Sequence, residues 1–368
     1  MVSAPQPPWF TRSAVRTWRC PPAPVGVLAF HQNLPGYAPT PLVELPALAG
    51  ELGVGRVFVK DESSRFGLPA FKALGASWAI HRALQERTDD GPALLVTATD
   101  GNHGRAVART ARTLGHRALV FVPRGVHPDA VRAIADEGAT VTQVDGDYDT
   151  AVARAAEAAA GAPGAVLVQD TAWNGYETIP GYVVEGYSTL VREVDVQLAD
   201  RGAGVPDLVV VPVGVGSLAQ AVVTHYRSSP EGGPPALLSV EPDTAACVLA
   251  SLRAGAPTFV ETGHTVMAGL NCGTVSSLAW PCLRGGLDAA VAVTDGAAVT
   301  AARDLAALGI HAGPCGAASL AGARAALLTG AADAPRAALR IDTGSVVVLL
   351  STEGAAANAL GVRSHRSG

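Results

Sequence analysis

The chain is poor in charged and in aromatic residues. Of its 368 residues, 16% are charged and 5% are aromatic, whereas 48% are hydrophobic. Disordered chains combine low hydrophobicity with high net charge, so this composition excludes general disorder. The formal net charge is −5 and no basic run occurs, which excludes the electrostatic footprint of a nucleic-acid-binding protein. What remains is a large soluble α/β protein, most simply an enzyme, whose core must be built from Ala, Val and Leu.

Cysteines and long apolar runs are also scarce. The five cysteines are scattered and none forms a CxxC pair, which predicts buried free thiols in a reducing compartment rather than a disulfide framework. The first 20 residues lack the apolar segment of a signal peptide. The longest apolar run, VVVLL at 346–350, falls far short of the roughly 20 residues that span a bilayer. We therefore expect a cytoplasmic protein that makes no membrane contact.

The length suggests two domains of about 150 residues or more. An N-terminal stretch of about 40 residues is interpreted as an extended arm over a domain surface, and strand and helix patterns alternate after it. Such alternation predicts parallel sheets with helices on both faces. Four strands and three helices follow one another closely between 93 and 170. They predict a small mobile domain, residues 94–172, inserted in a large domain made of 1–93 and 173–368.

The individual elements follow from hydrophobic periodicity and from Gly and Pro at their ends. The predicted strands span 56–62, 93–100, 116–123, 139–146, 165–170, 206–214, 236–242, 289–295 and 345–351. The predicted helices span 71–87, 103–115, 128–138, 149–161 and 180–200, and one more begins at 217. Residues 333–344 are predicted to form a loop before the last strand.

Lys72, in the segment LPAFKALGAS, lies at the start of a predicted helix. A helix N-terminus disfavours a cation, so we expect a lowered pKa for this lysine. A neutral amine is what Schiff-base chemistry requires. A solvated surface lysine is the alternative interpretation, but Phe71 before it and small residues after it indicate a buried setting.

Two glycine-bearing turns follow predicted strands, where open α/β sheets bind ligands. In TATDGNHG, residues 97–104, backbone N–H groups from Gly101 onward can hold an anion, and Asn102 adds a neutral donor. Asp100 is electrostatically unusual in such a turn, unless it only caps the helix. In VPVGVGS, residues 211–217, two glycines before a helix make a backbone phosphate cradle. A tight strand-to-helix turn is the alternative there.

Two further strand ends carry polar side chains. Asp170 ends a strand and is followed by Trp173 and Tyr176, so a carboxylate lies beside aromatic walls. Ser351 and Thr352 end the most hydrophobic strand, where a hydroxyl can bond a ring nitrogen of a heterocycle. For both strand ends, a simple cap of the next turn is the alternative interpretation.

Several catalytic patterns are missing from the sequence. It has no metal-ligand spacing of His, Cys and acidic residues, no GxSxG nucleophile elbow and no GxxxxGK[ST] phosphate loop. The GVGS turn also lacks the full GxGxxG of dinucleotide-binding proteins. Cys272 and Cys315 are interpreted as packing residues rather than nucleophiles. No metal site is predicted.

A Schiff-base lysine, a phosphate cradle, an asparagine donor and a hydroxyl for a ring nitrogen are together what pyridoxal 5′-phosphate (PLP) needs. The segments FKALGAS, TDGNHG, QDTAWNGY, PVGVGS, EPDTAACVL, MAGLNCG, GPCGAA and LLSTEG follow one another over roughly 35–358. They resemble the diaminopropionate ammonia-lyase family of fold type II, tryptophan-synthase-β-like PLP enzymes. The resemblance implies two three-layer α/β domains with mostly parallel sheets, the smaller inserted in the larger, and a homodimer.

The resemblance also implies the roles of individual residues. Lys72 would carry the cofactor as a Schiff base, and the catalytic residues would be Lys72, Asp100 and Asp170. The implied cofactor contacts are Phe71, Lys72, Asn102, Gly214, Val215, Gly216, Ser217, Leu218 and either Ser351 or Thr352. The implied substrate contacts are Thr99, Asp100, Gly101, His103, Asp170 and Tyr176.

The implied activity is PLP-dependent α,β-elimination of D- or L-2,3-diaminopropionate to pyruvate and ammonia. A carboxylate at Asp100 suits a cationic β-ammonium group, and Asp100 and Asp170 on opposite sides could each serve one enantiomer. The alternatives are another β-eliminase, a β-replacement synthase or a racemase for a serine-, threonine- or cysteine-type amino acid. A nucleotide-binding dehydrogenase or a silent binding protein would be a different class. Thr274, Val275 and the GPCG segment after His311 depart from the family pattern, which leaves the substrate open.

Overall fold

Two β-sheets organise the chain in the computed structural model, which describes residues 8–12, 15–88, 91–99, 101–228, 233–328 and 335–357. The strands are β1 (Trp9–Thr11), β2 (Leu42–Glu44), β3 (Arg56–Asp61), β4 (Leu94–Ala98), β5 (Arg117–Pro123), β6 (Thr140–Val144), β7 (Ala165–Leu167), β8 (Leu208–Pro212), β9 (Ala236–Pro242), β10 (Ala289–Val293) and β11 (Val346–Ser351). The helices are α1 (Gly26–Gln32), α2 (Pro46–Leu52), α3 (Lys72–Gln85), α4 (Asn102–Thr113), α5 (Pro128–Ala135), α6 (Tyr148–Gly161), α7 (Thr178–Asp200), α8 (Ser217–Ser228), α9 (Cys247–Ala254), α10 (Trp280–Gly286), α11 (Asp295–Ala307), α12 (Pro314–Leu327) and α13 (Pro335–Leu339).

The larger sheet has the strand order β1-β10-β9-β8-β11-β3-β2. Its inner strands are parallel, and β1 and β2 pair antiparallel at the two edges. Every residue of β8, β9 and β11 is buried, as expected for strands covered by helices on both faces. The buried hydrophobic side chains are mostly Ala, Val and Leu, which confirms the prediction from composition.

The smaller sheet is parallel throughout and has the order β6-β5-β4-β7. All four strands lie between Leu94 and Leu167, so the chain leaves the larger sheet after β3 and returns to it at β8. The predicted α/β class, with a smaller unit inserted in a larger one, is confirmed. The boundaries at 94 and 172 and the mobility of the smaller unit stay predictions.

Helices α3 and α7 pack at unusually close range. A Cβ on Gly75 would lie 2.6 Å from Cε1 of Tyr187, and a Cβ on Gly186 would lie 2.4 Å from the Leu74 carbonyl oxygen. Only glycine permits this approach, which fixes the first turns of α3 against α7. Because α3 begins at Lys72, this contact also sets the position of the lysine.

Two predicted irregular segments contain regular structure. The N-terminal arm holds β1, which pairs with β10, and α1. The segment 333–344, predicted as a loop, contains α13; residues 333 and 334 lie outside the described residues. Both are corrections, because three- to seven-residue elements held by distant partners leave too little local periodicity to recognise. None of the described helices is long and apolar enough to cross a membrane.

Candidate active site

A cavity of about 520 Å³ lies between the two sheets. Its walls come from the carboxyl ends of β4, β8 and β11 and from the first residues of α3 and α4. Ligands bind at such strand ends, and small-molecule sites have volumes of roughly 300–1,000 Å³. The predicted site residues that line it are Phe71, Lys72, Thr99, Gly101, Asn102, His103, Asp170, Gly214, Val215, Gly216, Ser217, Leu218 and Thr352.

Lys72 forms an ion pair with Asp170 inside this cavity. Lys72 Nζ donates to Asp170 Oδ2 at 2.7 Å, and the two side chains are 24% and 11% exposed. Burial alone would lower the pKa of Lys72, but the Asp170 carboxylate outweighs burial and raises that pKa above its usual value. The predicted lowering at the helix N-terminus is therefore wrong, because a contact ion pair acts more strongly than a helix dipole.

The composition of the chain makes Lys72 the one practical amine for Schiff-base chemistry. The sequence contains only two lysines, Lys60 and Lys72. The Lys60 side chain is fully buried and donates to Glu193 at 2.7 Å, to Gln197 and to the Thr40 carbonyl oxygen. The scarcity of lysine is a signal in the sequence that motif reasoning alone did not use.

Asp170 connects the lysine to two other parts of the site. Burial would raise its pKa, but the Lys72 cation in contact with the carboxylate outweighs burial and holds the pKa well below its usual range. The backbone carbonyl of Asp170 accepts from Ser217 Oγ at 3.0 Å, which ties the segment after β7 to the start of α8. Asp170 is therefore an ionised carboxylate at the centre of the cavity wall.

His103 presents a bare ring nitrogen to the same carboxylate. Its Nε2 lies 2.8 Å from the Val168 carbonyl oxygen, so Nε2 carries the proton and Nδ1 does not. Nδ1 lies 3.8 Å from Asp170 Oδ2 and, within the described residues, has no hydrogen-bond partner. Burial lowers the pKa of His103, although Asp170 acts in the opposite direction. His103 is thus a neutral acceptor beside the ion pair.

Thr99 organises the turn between β4 and α4. Its Oγ1 accepts from the amides of Gly101 at 2.9 Å and Gly104 at 3.1 Å. A Cβ on Gly104 would lie 2.3 Å from Thr99 Cγ2, so this position requires glycine. The predicted anion site in this turn needs correction, because two of its four amides serve the turn itself. The amides of Asn102 and His103, at the start of α4, are the ones left for an anion.

The segment Gly214–Leu218, which joins β8 to α8, has the geometry of the predicted phosphate cradle. Gly216 has a φ of +105°, which favours glycine, and a Cβ there would lie 2.7 Å from Leu283 Cδ1. A Cβ on Gly214 would lie 3.0 Å from Cys272 Sγ. The first N–H groups of a helix have no intrahelical acceptor, so this glycine-bearing turn can hold an anion.

Asn102 reaches across the cavity to Glu353, which sequence reasoning missed. Asn102 Nδ2 donates to Glu353 Oε2 at 2.8 Å. Burial raises the pKa of Glu353, while Cys315, Asn102 and Lys72 act to lower it. The available signal was an acidic residue directly after the most hydrophobic strand of the chain.

Tyr176 does not line the cavity. Its hydroxyl donates to the Leu167 carbonyl oxygen at 2.8 Å and accepts from the Gln169 amide at 2.9 Å, and its ring stacks on Trp173 at 4.4 Å. The predicted substrate contact is therefore corrected to a structural one, since the hydroxyl is committed to the backbone at the end of β7.

The two hydroxyl residues at the end of β11 are placed differently. Thr352 lines the cavity and Ser351 does not. The Ser351 Oγ is buried without a hydrogen-bond partner in the described part of the chain, and a Cβ on Gly316 would lie 2.8 Å from it. Which hydroxyl faces a ring nitrogen stays a prediction. Asp100 lies outside the described residues.

Other cavity residues come from segments rich in small residues. Cys272 and Cys315, interpreted above as packing residues, both line the cavity. Val275 packs behind the cradle, 3.7 Å from where a Gly216 Cβ would lie. Further residues line the cavity: Arg105, Arg124, His127, Asp129, Tyr148 and His264. The residues that the structure describes include no group of three or more His, Cys, Asp or Glu suited to a metal ion.

The donor set fits PLP. Lys72 supplies a primary amine for an aldehyde, and the Gly214–Leu218 turn supplies amides for a phosphate. Within the described chain, Ser351 Oγ is a buried hydroxyl that lacks a partner. Asn102 adds an amide donor between these groups.

Comparison with known proteins agrees with this fit. The family described as "Pyridoxal-phosphate dependent enzyme" matches residues 34–351. The diaminopropionate ammonia-lyase of Salmonella typhimurium is 41% identical over 281 residues, which is 70% of this chain and 69% of that protein. Crystal structures of the Escherichia coli diaminopropionate ammonia lyase, in complex with D-serine and with an aminoacrylate–PLP azomethine reaction intermediate, have TM-scores of 0.85 and 0.84. They are 31% and 33% identical, and each alignment covers 95% of this chain and 94% of the other.

The fold and the site together define a PLP-dependent enzyme of fold type II. Within that class, the chain belongs to the diaminopropionate ammonia-lyase family of carbon–nitrogen lyases, and its cofactor is pyridoxal 5′-phosphate.

Proposed function

We propose that the protein catalyses the PLP-dependent α,β-elimination of 2,3-diaminopropionate to pyruvate and ammonia. The observation that carries the proposal is Lys72 Nζ, 2.7 Å from Asp170, in a cavity that also contains Asn102 and the Gly214–Leu218 turn. Relatives named for this activity match about 70% of the chain. Both enantiomers are candidate substrates, because the sequence offers two acidic residues, Asp100 and Asp170, one for each enantiomer.

Each part of the cofactor has a proposed holder among the residues of this chain. Lys72 Nζ holds the aldehyde carbon, the Gly214–Leu218 amides hold the phosphate, and Asn102 holds the phenolic oxygen. Ser351 or Thr352 holds the ring nitrogen. When bound, PLP supplies an electron sink for the Cα–H bond that must break.

The proposed proton chemistry belongs to the carboxylates and their neighbours. The Asp170 carboxylate is itself a proton acceptor, with Oδ2 2.7 Å from Lys72 Nζ. The unprotonated Nδ1 of His103 lies 3.8 Å from the same oxygen. Asp100, which precedes Gly101 in the sequence, supplies a second carboxylate. A carboxylate about 4 Å from a β-ammonium group attracts it by about 4 kcal/mol at an effective dielectric of about 20. The acids therefore favour a substrate with a cationic leaving group.

The test is a substrate series with the purified protein. Wild type should show a yellow absorption band, and reduction with borohydride should fix the cofactor on the peptide that contains Lys72. The protein should release pyruvate from 2,3-diaminopropionate faster than from serine, threonine or cysteine derivatives. Faster turnover of one of those, formation of a β-substituted product or simple racemisation would replace the proposal by another PLP reaction.

We further infer that residues 94–172 move as a unit when substrate binds, since the cavity has walls from both sheets. A homodimer and a cytoplasmic location are proposed with the same enzyme. None of the five cysteines, all of which lie in the described part of the chain, forms a disulfide, which suits a reducing compartment.

A further inference from the structure

Glu353 is a buried carboxylate that the proposed elimination does not use. It follows the end of β11 by two residues, is 4% exposed and lines the cavity. Its Oε2 accepts from Asn102 Nδ2 at 2.8 Å, and its Oε1 accepts from the Cys315 amide at 3.3 Å. Both oxygens of the carboxylate therefore face N–H donors.

We propose that Glu353 is the positioning residue of Asn102, and that it fixes which end of the Asn102 amide is offered to the cofactor. The proposal rests on the function proposed above, in which Asn102 holds the phenolic oxygen. A primary amide carries two N–H groups on Nδ2. One is taken by Glu353, and the other stays available to a ligand in the cavity.

A flipped Asn102 would defeat this arrangement. Its Oδ1 would then lie against Glu353 Oε2, and two acceptors without a proton between them repel. The cofactor would be offered a carbonyl oxygen instead of an N–H group. Glu353 thus selects the donor orientation of Asn102.

Only a carboxylate can serve both of its neighbours. It accepts on both oxygens, whereas a glutamine has one acceptor oxygen and one donor nitrogen. In Glu353→Gln, the new N–H group must face either the Cys315 amide or Asn102. If that N–H group faces Asn102, it meets the Asn102 Nδ2 donor, and a hydrogen bond forms only if Asn102 flips.

The backbone around Glu353 holds the carboxylate in this place. A Cβ on Gly313 would lie 2.9 Å from Glu353 Oε1, and a Cβ on Gly316 would lie 2.7 Å from the Glu353 carbonyl oxygen. The Gly313 amide donates to that carbonyl at 2.9 Å. Glycines before and within α12 therefore make room for Glu353. The bond to Asn102 also joins the smaller unit, which carries α4, to the end of β11 in the larger sheet.

The test is a double-mutant cycle read through PLP affinity. The apoprotein is titrated with PLP, and the dissociation constant and the pH midpoint of the visible band are measured for wild type, Asn102→Ala, Glu353→Gln and the double variant. Glu353→Gln should weaken PLP binding by about tenfold, within the range found for coupled neighbours. It should move the pH midpoint in the same direction as Asn102→Ala, and in the Asn102→Ala background it should add less than about twofold.

A matched control comes from Glu241. It is also buried and accepts two backbone amides, those of Val248 at 2.7 Å and Leu249 at 2.8 Å, but it does not line the cavity. Glu241→Gln should leave the PLP dissociation constant within about twofold of wild type. An equal loss of affinity in Glu241→Gln and Glu353→Gln, or equal effects of Glu353→Gln with and without Asn102, would overturn the proposal.

A second variant keeps the test decisive if Glu353→Gln folds poorly. Asn102→Asp combined with Glu353→Gln restores a donor–acceptor pair across the cavity but offers carboxylate oxygens to the cofactor. This double variant should recover the melting temperature of the wild type without recovering its PLP affinity. Recovery of both the melting temperature and the PLP affinity would show that Glu353 has only a structural role. Because the readout is PLP binding, a wild type that binds PLP but spares 2,3-diaminopropionate would refute the proposed function and leave this inference standing.

Discussion

The Lys72–Asp170 ion pair makes the reactivity of the lysine depend on one carboxylate. Asp170→Asn keeps the size of the side chain but removes its charge, and with it the main interaction that offsets the burial of Lys72. Two unit charges 2.7 Å apart interact by at most about 6 kcal/mol at an effective dielectric of about 20. Single opposite charges usually change a pKa by less than this limit, so we expect the pKa of Lys72 to fall by about 1–3.

The assay is the uptake of PLP by the apoprotein as a function of pH. Only the neutral amine attacks an aldehyde, so the rate follows the deprotonated fraction of Lys72. A pKa lower by 1–3 raises that fraction, and hence the rate at neutral pH, by about 10- to 1,000-fold. Turnover should fall in Asp170→Asn, because the Asp170 carboxylate no longer accepts a proton. Since Lys60 is fully buried in its pair with Glu193, the visible absorption band of bound PLP reports on Lys72.

The control is Asp129→Asn. Asp129 lines the same cavity, but its carboxylate pairs with Arg132 instead of the lysine. This variant should leave the pH profile of PLP uptake in place. A profile for Asp170→Asn that is unchanged, or that moves to higher pH, would refute the reasoning that Asp170 controls the charge of Lys72.

Three further predictions concern the cradle, a buried acid and the stereochemistry. Gly216→Ala should weaken PLP binding at least about fivefold in a titration, since its backbone conformation costs other residues about 1–3 kcal/mol of strain. The control is Gly255→Ala, which also has a positive φ but lies in open space and should leave PLP affinity unchanged. Similar losses of affinity in both variants would contradict a specific cradle. Burial raises the pKa of Glu241 from 4.5 to about 8, so its contribution to stability is complete below pH 4.5 and is lost as the pH rises to 8. In Glu241→Gln, the free energy of unfolding measured in urea should fall less steeply between pH 4.5 and 8. An unchanged pH dependence of that free energy would contradict this role of Glu241. Asp100→Asn and Asp170→Asn should impair turnover of the D and L substrates unequally, and equal losses for both enantiomers in both variants would remove the proposed division between the acids.

The alternating elements were predictable because their periodicity is local. Apolar spacing and glycine placement within a dozen residues are enough to predict helix α3, strand β11 and the turn before α8. The pairing of β1 with β10 was not predictable, because it depends on residues far apart in the chain. Three-residue strands carry too little pattern for sequence reasoning.

The chemistry of the site was only partly predictable for a related reason. The sequence indicates which residues follow strand ends, but not which charges meet there. The helix position of Lys72 predicts a lowered pKa, yet its contact with Asp170 reverses the direction. Glu353 was overlooked because its role depends on Asn102, which lies 251 positions away in the chain. The sequence places Tyr176 at the substrate, since spacing does not reveal that its hydroxyl bonds the backbone.

The most direct measurement is the ratio of ammonia to pyruvate released from 2,3-diaminopropionate. Elimination followed by hydrolysis balances as diaminopropionate plus water giving pyruvate and two ammonia. We expect that ratio of two to one for wild type, with no product from Lys72→Ala. No pyruvate from either enantiomer, despite a full complement of PLP bound at Lys72, would contradict the assignment of this protein as a diaminopropionate-cleaving lyase.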